Sequence, residues 1–310
     1  MGVSKKIDSS DNLGIVYGLS AFFIWGMLPL YWKLLQSVPA FEILTHRFLW
    51  SFVFMAFIVS FTGGFRSLLA VIKDRKKLLT MFLCGFVISL NWYTFIYAVT
   101  SDFVIEASMG YYINPLVVVM LGVLVFKERL NSWQIAAFIL AAIGVVLITI
   151  QYGRIPWIAF TLAATFSFYG MLKKKAQVDP ATGLILETAV ITPIALFFIY
   201  TWESSGTGAF MGAAMPIPLF LMGAGIVTAT PLLLYARGVE KTAFSMMGFL
   251  QYITPTANLL LGVFVFKEDF SLLHFFSFCF IWAALIIFTL ARIGILKSDR
   301  PDIAVSLQKR

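Results

Sequence analysis

Charge is scarce in this sequence. Asp, Glu, Lys and Arg make up 12% of its 310 residues, about half the share found in soluble domains. An aqueous globule is thereby excluded, because 60% of the residues are hydrophobic and too little polar surface remains to cover them. Cysteine and histidine are scarce as well. Cys84 and Cys279 each lie inside an apolar run, form no metal or redox pair, and read as packing residues. His46 and His274 are far apart and have no metal-ligand spacing. No GxxxxGK[ST] loop is present, so the chain carries no ATPase of its own, and neither HExxH nor GxSxG occurs. No cofactor is implied. Low-complexity tracts, coiled-coil heptads and a soluble domain are also missing.

What the chain does have is long apolar runs, with a mean hydropathy of +0.91. Each run approaches the roughly 20 residues that a helix needs to cross the hydrocarbon core. Ten spans are expected, near 13–35, 41–62, 78–99, 103–126, 132–150, 155–172, 182–202, 216–236, 242–266 and 272–293. The run from Leu13 is read as the first span, not a cleaved leader, because it is long and no small-residue cleavage pattern follows it. The net charge of +8 lies in the short loops, which makes it a topology signal instead of a nucleic-acid patch.

Cytoplasmic loops carry the excess of Lys and Arg. One side holds Lys5 and Lys6, then Arg66, Lys73, Arg75, Lys76 and Lys77, then Lys127 and Arg129, and then Lys173, Lys174 and Lys175. Arg237, Lys241, Arg292, Lys297, Arg300, Lys309 and Arg310 complete that side. Lys33, Arg154 and Lys267 fall on the other side or its border, and Arg47 falls inside a span. Both termini are therefore expected in the cytoplasm. The segment from Glu203 to Met215 reads as a flexible outer link rich in Gly and Ser, and 296–310 as a disordered cytoplasmic tail.

Residues 112–128, YINPLVVVMLGVLVFKE, recur at 252–268 as YITPTANLLLGVFVFKE, with ten of 17 positions identical. FFIWGML at 22–28 is echoed by FSFYGML at 166–172. Five spans per half is an odd number, so the second half enters the bilayer from the opposite face and the repeats are inverted. Residues 1–151 and 152–295 form the two halves. Such duplication is the architecture of secondary transporters.

Polar side chains inside a span cost about 2.5–3.5 kcal/mol at the centre, so each needs a reason. Arg47 either faces a central cavity and holds an anionic or polar group of a substrate, or pairs within the bundle or with headgroups. Glu187 and His46 are candidates for taking up protons that drive transport, with Glu187 alternatively the permanent partner of a basic side chain. Glu42 and His46 are four apart and share a helix face. Trp25, Asn91, Trp92, Tyr93, Tyr111, Tyr112, Asn114, Gln251, Tyr252 and Asn258 sit at mid-depth, whereas a headgroup belt places Trp and Tyr at span ends. They either line an aromatic cavity for flat amphiphilic molecules or pack locally with their polar tips satisfied. Pro115 and Pro255 interrupt the hydrogen-bond ladder and are candidate hinges. Ala137 and Ala141, four apart, permit a close helix approach or a homodimer face.

WGMLPLYWK, EILTHRFLWS, LNWYTFIYAV, EASMGYYINPL and LLLYARGVEKTAFSMMGFLQYITPT, with the two GV(L/F)VFKE ends, closely resemble the RarD branch of the drug/metabolite transporter superfamily, which carries two EamA-type repeats. The match spans about residues 12–295. The resemblance implies an all-α multi-pass permease of the bacterial cytoplasmic membrane, with a central site that alternates in exposure. Trp25, Arg47, Asn91, Trp92, Tyr112, Gln251 and Tyr252 are then expected to line that site. The function expected is secondary transport, taken as export, of small amphiphilic or aromatic metabolites or drugs. The partners expected are that small molecule and the lipid bilayer, with no nucleic acid. The alternatives are a membrane enzyme or lipid-handling protein that uses Glu187 and His46, and a sensor without flux.

Overall fold

In the computed structural model, the residues described are 9–101, 103–153, 155–266, 272–292 and 295–296. Among them the regular structure is helical, without a strand. The helices are α1 (Ser9–Lys33), α2 (Ala40–Phe61), α3 (Phe65–Lys73), α4 (Arg75–Thr100), α5 (Val104–Val125), α6 (Ser132–Tyr152) and α7 (Trp157–Ala176). There follow α8 (Pro180–Ser204), α9 (Ala209–Gly212), α10 (Ile217–Lys241), α11 (Phe244–Leu250), α12 (Ile253–Leu260), a π-helical turn (Leu261–Phe266) and α13 (Leu272–Arg292). Among the described residues helices occupy the stretches read as spans, and seven stretches, with the interrupted Phe244–Val265 counted as one, are long and apolar enough to cross a membrane. The apolar stretches of α6 and α13 are shorter, Ser132–Leu147 and Phe278–Ala291.

Short polar signals set the helix ends. Asp74 accepts the backbone N–H groups of Lys76 and Lys77 at the start of α4, and Asn131 with Gln134 forms a capping box on α6. Asp179 caps α8, with Pro180 at a position where the missing N–H costs nothing. Gly153 ends α6 in the left-handed region at φ 75°. The start of α11 is capped from a distance: the Glu128 carboxylate accepts Phe244 N–H at 2.6 Å and Ser245 N–H at 2.9 Å.

The helices pack in pairs: α1 against α10, α2 against α8 and α10, α4 against α7 and α8, α5 against α7 and α11, α1 against α12, and α6 against α13. The α2–α10 contact depends on Gly225, where an added Cβ would run into the Trp50 backbone. Ala137 and Ala141 are fully buried within the chain. Their small side chains serve contacts inside the bundle.

Outward positions are apolar. Phe57, Phe61, Phe86, Leu124, Ile150 and Phe197 are each more than half exposed, as suits a surface solvated by lipid tails. The two proline positions differ. Helix α5 runs through Pro115, whereas the helical ladder is interrupted at Gln251 and Tyr252, just before Pro255. The Gln251 carbonyl instead accepts Thr254 N–H at 3.1 Å, because Pro255 has no N–H to offer.

The segment read as a flexible link, Glu203 to Met215, contains α9 and is tied down. Ala209 N–H donates to Glu42, and Phe210 and Met211 N–H donate to Glu203. The N–H groups that open a helix need acceptors, and here two carboxylates supply them. Lys5, Lys6, Arg154, Lys267, Glu268 and the tail 297–310 lie outside the described residues.

Candidate functional site

A cavity of about 300 Å³ opens among α1, α2, α4, α5, α7, α10 and the interruption before α12. Of the seven residues expected to line it, five do: Trp25, Arg47, Asn91, Trp92 and Gln251. Pro255 is also in the wall. Tyr112 and Tyr252 are not, and this corrects the expectation for both. Tyr112 points edge-on at Phe278 of α13, with ring centroids 5.5 Å apart, and Tyr252 is 1% exposed in the core. Neighbouring residues on a helix project about 100° apart, so on α5 Tyr111 takes the cavity face and Tyr112 the packed one, while in the interruption before α12 Gln251 lines the cavity and Tyr252 is buried in the core.

Arg47 is the cation of this cavity. Its Nε donates to Thr228 Oγ1 at 3.1 Å, and its guanidinium lies 4.8 Å from the Trp32 ring centroid and 4.6 Å from that of Trp92. Aromatic faces attract a guanidinium without neutralising it. Among the described residues, no carboxylate lies within 4.0 Å of it: the ion pair found is Lys173–Glu187. Trp32 and Thr228 were not singled out in the sequence. Trp32 follows Trp25 by seven residues, two turns along one face, which is the signal that finds it.

The rest of the wall is aromatic and amide. Trp25 meets Phe22, Phe166 and Tyr235 at centroid distances of 5.6, 5.7 and 5.7 Å. Asn91 Nδ2 donates to Leu162 O at 2.9 Å and Thr165 Oγ1 at 2.8 Å, and Asn114 Nδ2 to Ala163 O at 2.7 Å and Ser167 Oγ at 3.1 Å. Those donors fix the orientation of Asn114 and leave its Oδ1 buried without a partner, as is Oδ1 of Asn258. A buried acceptor without a donor costs about 1–3 kcal/mol. The cavity thus offers one positive group and flat apolar faces, with amide side chains in its wall.

The two proton-coupling candidates sit elsewhere. Glu187 is 2% exposed, paired with Lys173 Nζ at 2.8 Å, and accepts the Tyr169 hydroxyl at 2.9 Å. His46 lies towards the other end of the bundle, beside Glu42 and Glu203. Glu42 meets Glu203 at one end of the α2–α8 pair, and Ser67 meets Thr182 at the other. His46 and Glu187 are therefore about 18 Å apart along the helix axes at 1.5 Å per residue, too far to act on one substrate atom.

These features define a multi-pass helical membrane protein with a central polar-aromatic cavity. Residues 12–150 match the EamA-like transporter family. The chain is 44% identical to the uncharacterized transporter YojE of Bacillus subtilis over 284 residues, 90% of this chain and 94% of that protein. It is 39% identical to Protein RarD of Escherichia coli over 277 residues, 89% of this chain and 94% of that one. A solved structure titled only as a crystal structure of a protein superposes with a TM-score of 0.69 at 19% identity, covering 90% of this chain and 98% of that one, which speaks to the fold alone. The chain belongs to the EamA-like transporter family, as a RarD-type member of the drug/metabolite transporter superfamily.

Proposed function

We propose that the protein is a secondary transporter whose cavity takes a small aromatic or amphiphilic molecule bearing an anionic group. The observation that carries this reading is Arg47, a cation inside the bundle with aromatic neighbours and, among the described residues, no carboxylate partner. An unpaired charge in such a place is costly, and a bound anion would supply the missing counter-charge through charge-assisted hydrogen bonds. Trp25, Trp92 and Phe166 in the wall favour a cargo with a flat body.

Movement of this cargo is proposed to follow alternating access between two inverted five-helix halves, 1–151 and 152–295, making ten spans with both ends of the chain in the cytoplasm. The packing supports this. Exchanging the halves turns α1–α10 into α7–α4, α5–α7 into α12–α1, and α2–α10 into α8–α4, while α2–α8, α6–α13 and α5–α11 map onto themselves. The interruption at Gln251–Tyr252, next to Pro255, is the proposed hinge of the second half. Pro115 is its counterpart in the first. The direction taken is export across the bacterial cytoplasmic membrane, without catalysis.

The reading is tested with purified protein in liposomes and matched pairs of aromatic solutes, one a carboxylate and the other its neutral amide. Saturable flux of the carboxylate, lost in Arg47→Gln, is expected. Equal flux of both solutes in wild type and variant would remove Arg47 as the anchor, and product formation without flux would replace transport by catalysis.

A further inference from the structure

A second polar cluster lies outside the cavity wall, at the end of the bundle where α8 is joined to α10. One nitrogen of His46 and one oxygen each of Glu42 and Glu203 lie within 4.8 Å of one another. Glu42 is 3% and His46 1% exposed. Glu203 is half-buried, and two carboxylates that close repel one another unless a cation lies between them. Neither has a basic nitrogen of Lys or Arg within 4.0 Å among the described residues. Arg47, next to His46 on α2, is turned to Trp32, Trp92 and Thr228. Glu187 on α8 and its partner Lys173 on α7 lie at the far end, as do Arg237, Glu240 and Lys241 on α10, and α9 carries no charge.

The identity of the cation follows from His46. The Trp50 indole Nε1–H donates to His46 Nδ1 at 3.3 Å, and an indole N–H is only a donor. Nδ1 therefore carries the lone pair, and the proton of the neutral ring is on Nε2. That Nε2 is buried and has no partner. A metal ion would need a lone pair on Nε2, and taking it would move the ring proton to Nδ1 and leave Trp50 N–H without its acceptor. The ring is also clamped, stacked on Phe210 at a centroid distance of 5.2 Å and an interplanar angle of 24°.

We propose that Glu42, Glu203 and His46 form a proton-binding site, in which the two carboxylates share one proton and the neutral imidazole presents Nε2–H to them. The proton moves between a carboxylate oxygen and water at the open end of the bundle, and no bond other than O–H is made or broken. The site also holds a latch. Glu42 accepts Ala209 N–H at 2.6 Å, and Glu203 accepts Phe210 N–H at 3.0 Å and Met211 N–H at 3.1 Å. With the proton present, the α8–α10 connection is pinned over the end of α2. Without it, the two anions repel, and the ends of α2 and α8 separate one helical turn from Arg47. The proton site stands apart from the transport reading. Only its role as the coupling site, opening that end when the proton leaves, rests on that reading.

The experiment is infrared spectroscopy of the purified protein in lipid, titrated with acid and base. Wild type is expected to show, at neutral pH, a carboxylic-acid C=O band that is lost in Glu42→Gln and in Glu203→Gln and retained in Glu187→Gln. The glutamine amide keeps the oxygen with which Glu42 accepts Ala209 N–H, and one of the two with which Glu203 accepts Phe210 and Met211 N–H. A band that persists in both variants, or is absent from wild type, overturns the site. So does stabilisation of wild type, but not of Glu42→Gln, by added Zn²⁺ or Mn²⁺, which would make it a metal site. A second readout needs no variant at the site: ¹⁵N-histidine spectra in a His274→Asn background. Nε2 protonated and Nδ1 bare is expected, and the reverse tautomer overturns the assignment. Flux without proton dependence, alongside a normal infrared result, would remove the coupling role and leave the proton site standing.

Discussion

Arg47 Nε donates to Thr228 Oγ1 at 3.1 Å, so the cation of the cavity is oriented by a helix of the other half of the chain. Any motion that shifts α10 against α2 therefore also moves the guanidinium. Substitution of Arg47 by Gln is expected to weaken binding of an anionic ligand roughly tenfold or more, since a hydrogen bond to a charged group contributes about 1.5–3 kcal/mol. Lys is expected to restore only part of this, because it lacks the planar fork that lies between Trp32 and Trp92. Binding measured calorimetrically on the detergent-solubilised protein checks both, and full recovery by Lys would mean that charge alone matters.

The adjacent tyrosines separate cavity from core. Tyr111→Ala is expected to weaken ligand binding with a small effect on thermal stability. Tyr112→Ala removes the ring that meets Phe278 and is expected to cost about 3–5 kcal/mol of stability, as for other large-to-small core changes. Affinity per folded molecule should then survive in Tyr112→Ala. The reverse pattern would mean that the tyrosine facing the cargo is Tyr112.

For Glu187, the geometry argues for a structural pair. Removing one partner of a buried ion pair costs about 3–5 kcal/mol, because the other charge is left uncompensated. Glu187→Gln and Lys173→Gln should each lower the melting temperature, and the double substitution should cost less than the sum of the two. Uphill transport in the double variant is expected to survive. Its complete loss, with a normal melting temperature, would return Glu187 to a coupling role.

Glu128 closes the start of α11 with both carboxylate oxygens. Glu128→Ala is expected to cost about 1–2 kcal/mol, the usual loss on removing a helix cap, and Glu128→Gln less, since one acceptor oxygen remains. Thermal denaturation followed by tryptophan fluorescence resolves the order Ala below Gln below wild type. Equal stability of all three would show that water takes over the N–H groups.

Gly225 sits where α10 presses on α2. Gly225→Val is expected to lower stability by about 1–3 kcal/mol, the range for overpacked interiors, and to loosen the Arg47–Thr228 contact with it. Ligand affinity and melting temperature should fall together, and a fall in one alone would uncouple the helix contact from the site.

The positions of the helices were legible in the sequence, because the length of an apolar run is set by bilayer thickness and needs no partner to be read. The mid-depth Trp25, Asn91, Trp92 and Gln251 were legible for a related reason: polar tips at that depth demand a polar or aromatic neighbourhood. The face on which each side chain falls was not legible. Tyr111 and Tyr112, or Gln251 and Tyr252, are interchangeable as letters in an apolar run, and only the packed neighbour tells them apart. Nor was the cluster of Glu42, His46 and Glu203, because Glu203 belongs to a segment whose Gly and Ser content reads as a loose link.

By itself the sequence determined a helical membrane protein, its duplicated segments and its membership of a transporter family, since these follow from local composition and recurring residues. The tertiary structure decided which charges meet. Among the described residues it left Arg47 without a carboxylate, paired Glu187 with Lys173, and brought Ala209 to Glu42 across 167 residues of chain. Electrostatic partners in a low-dielectric bundle are set by helix register and rotation, which only packing specifies.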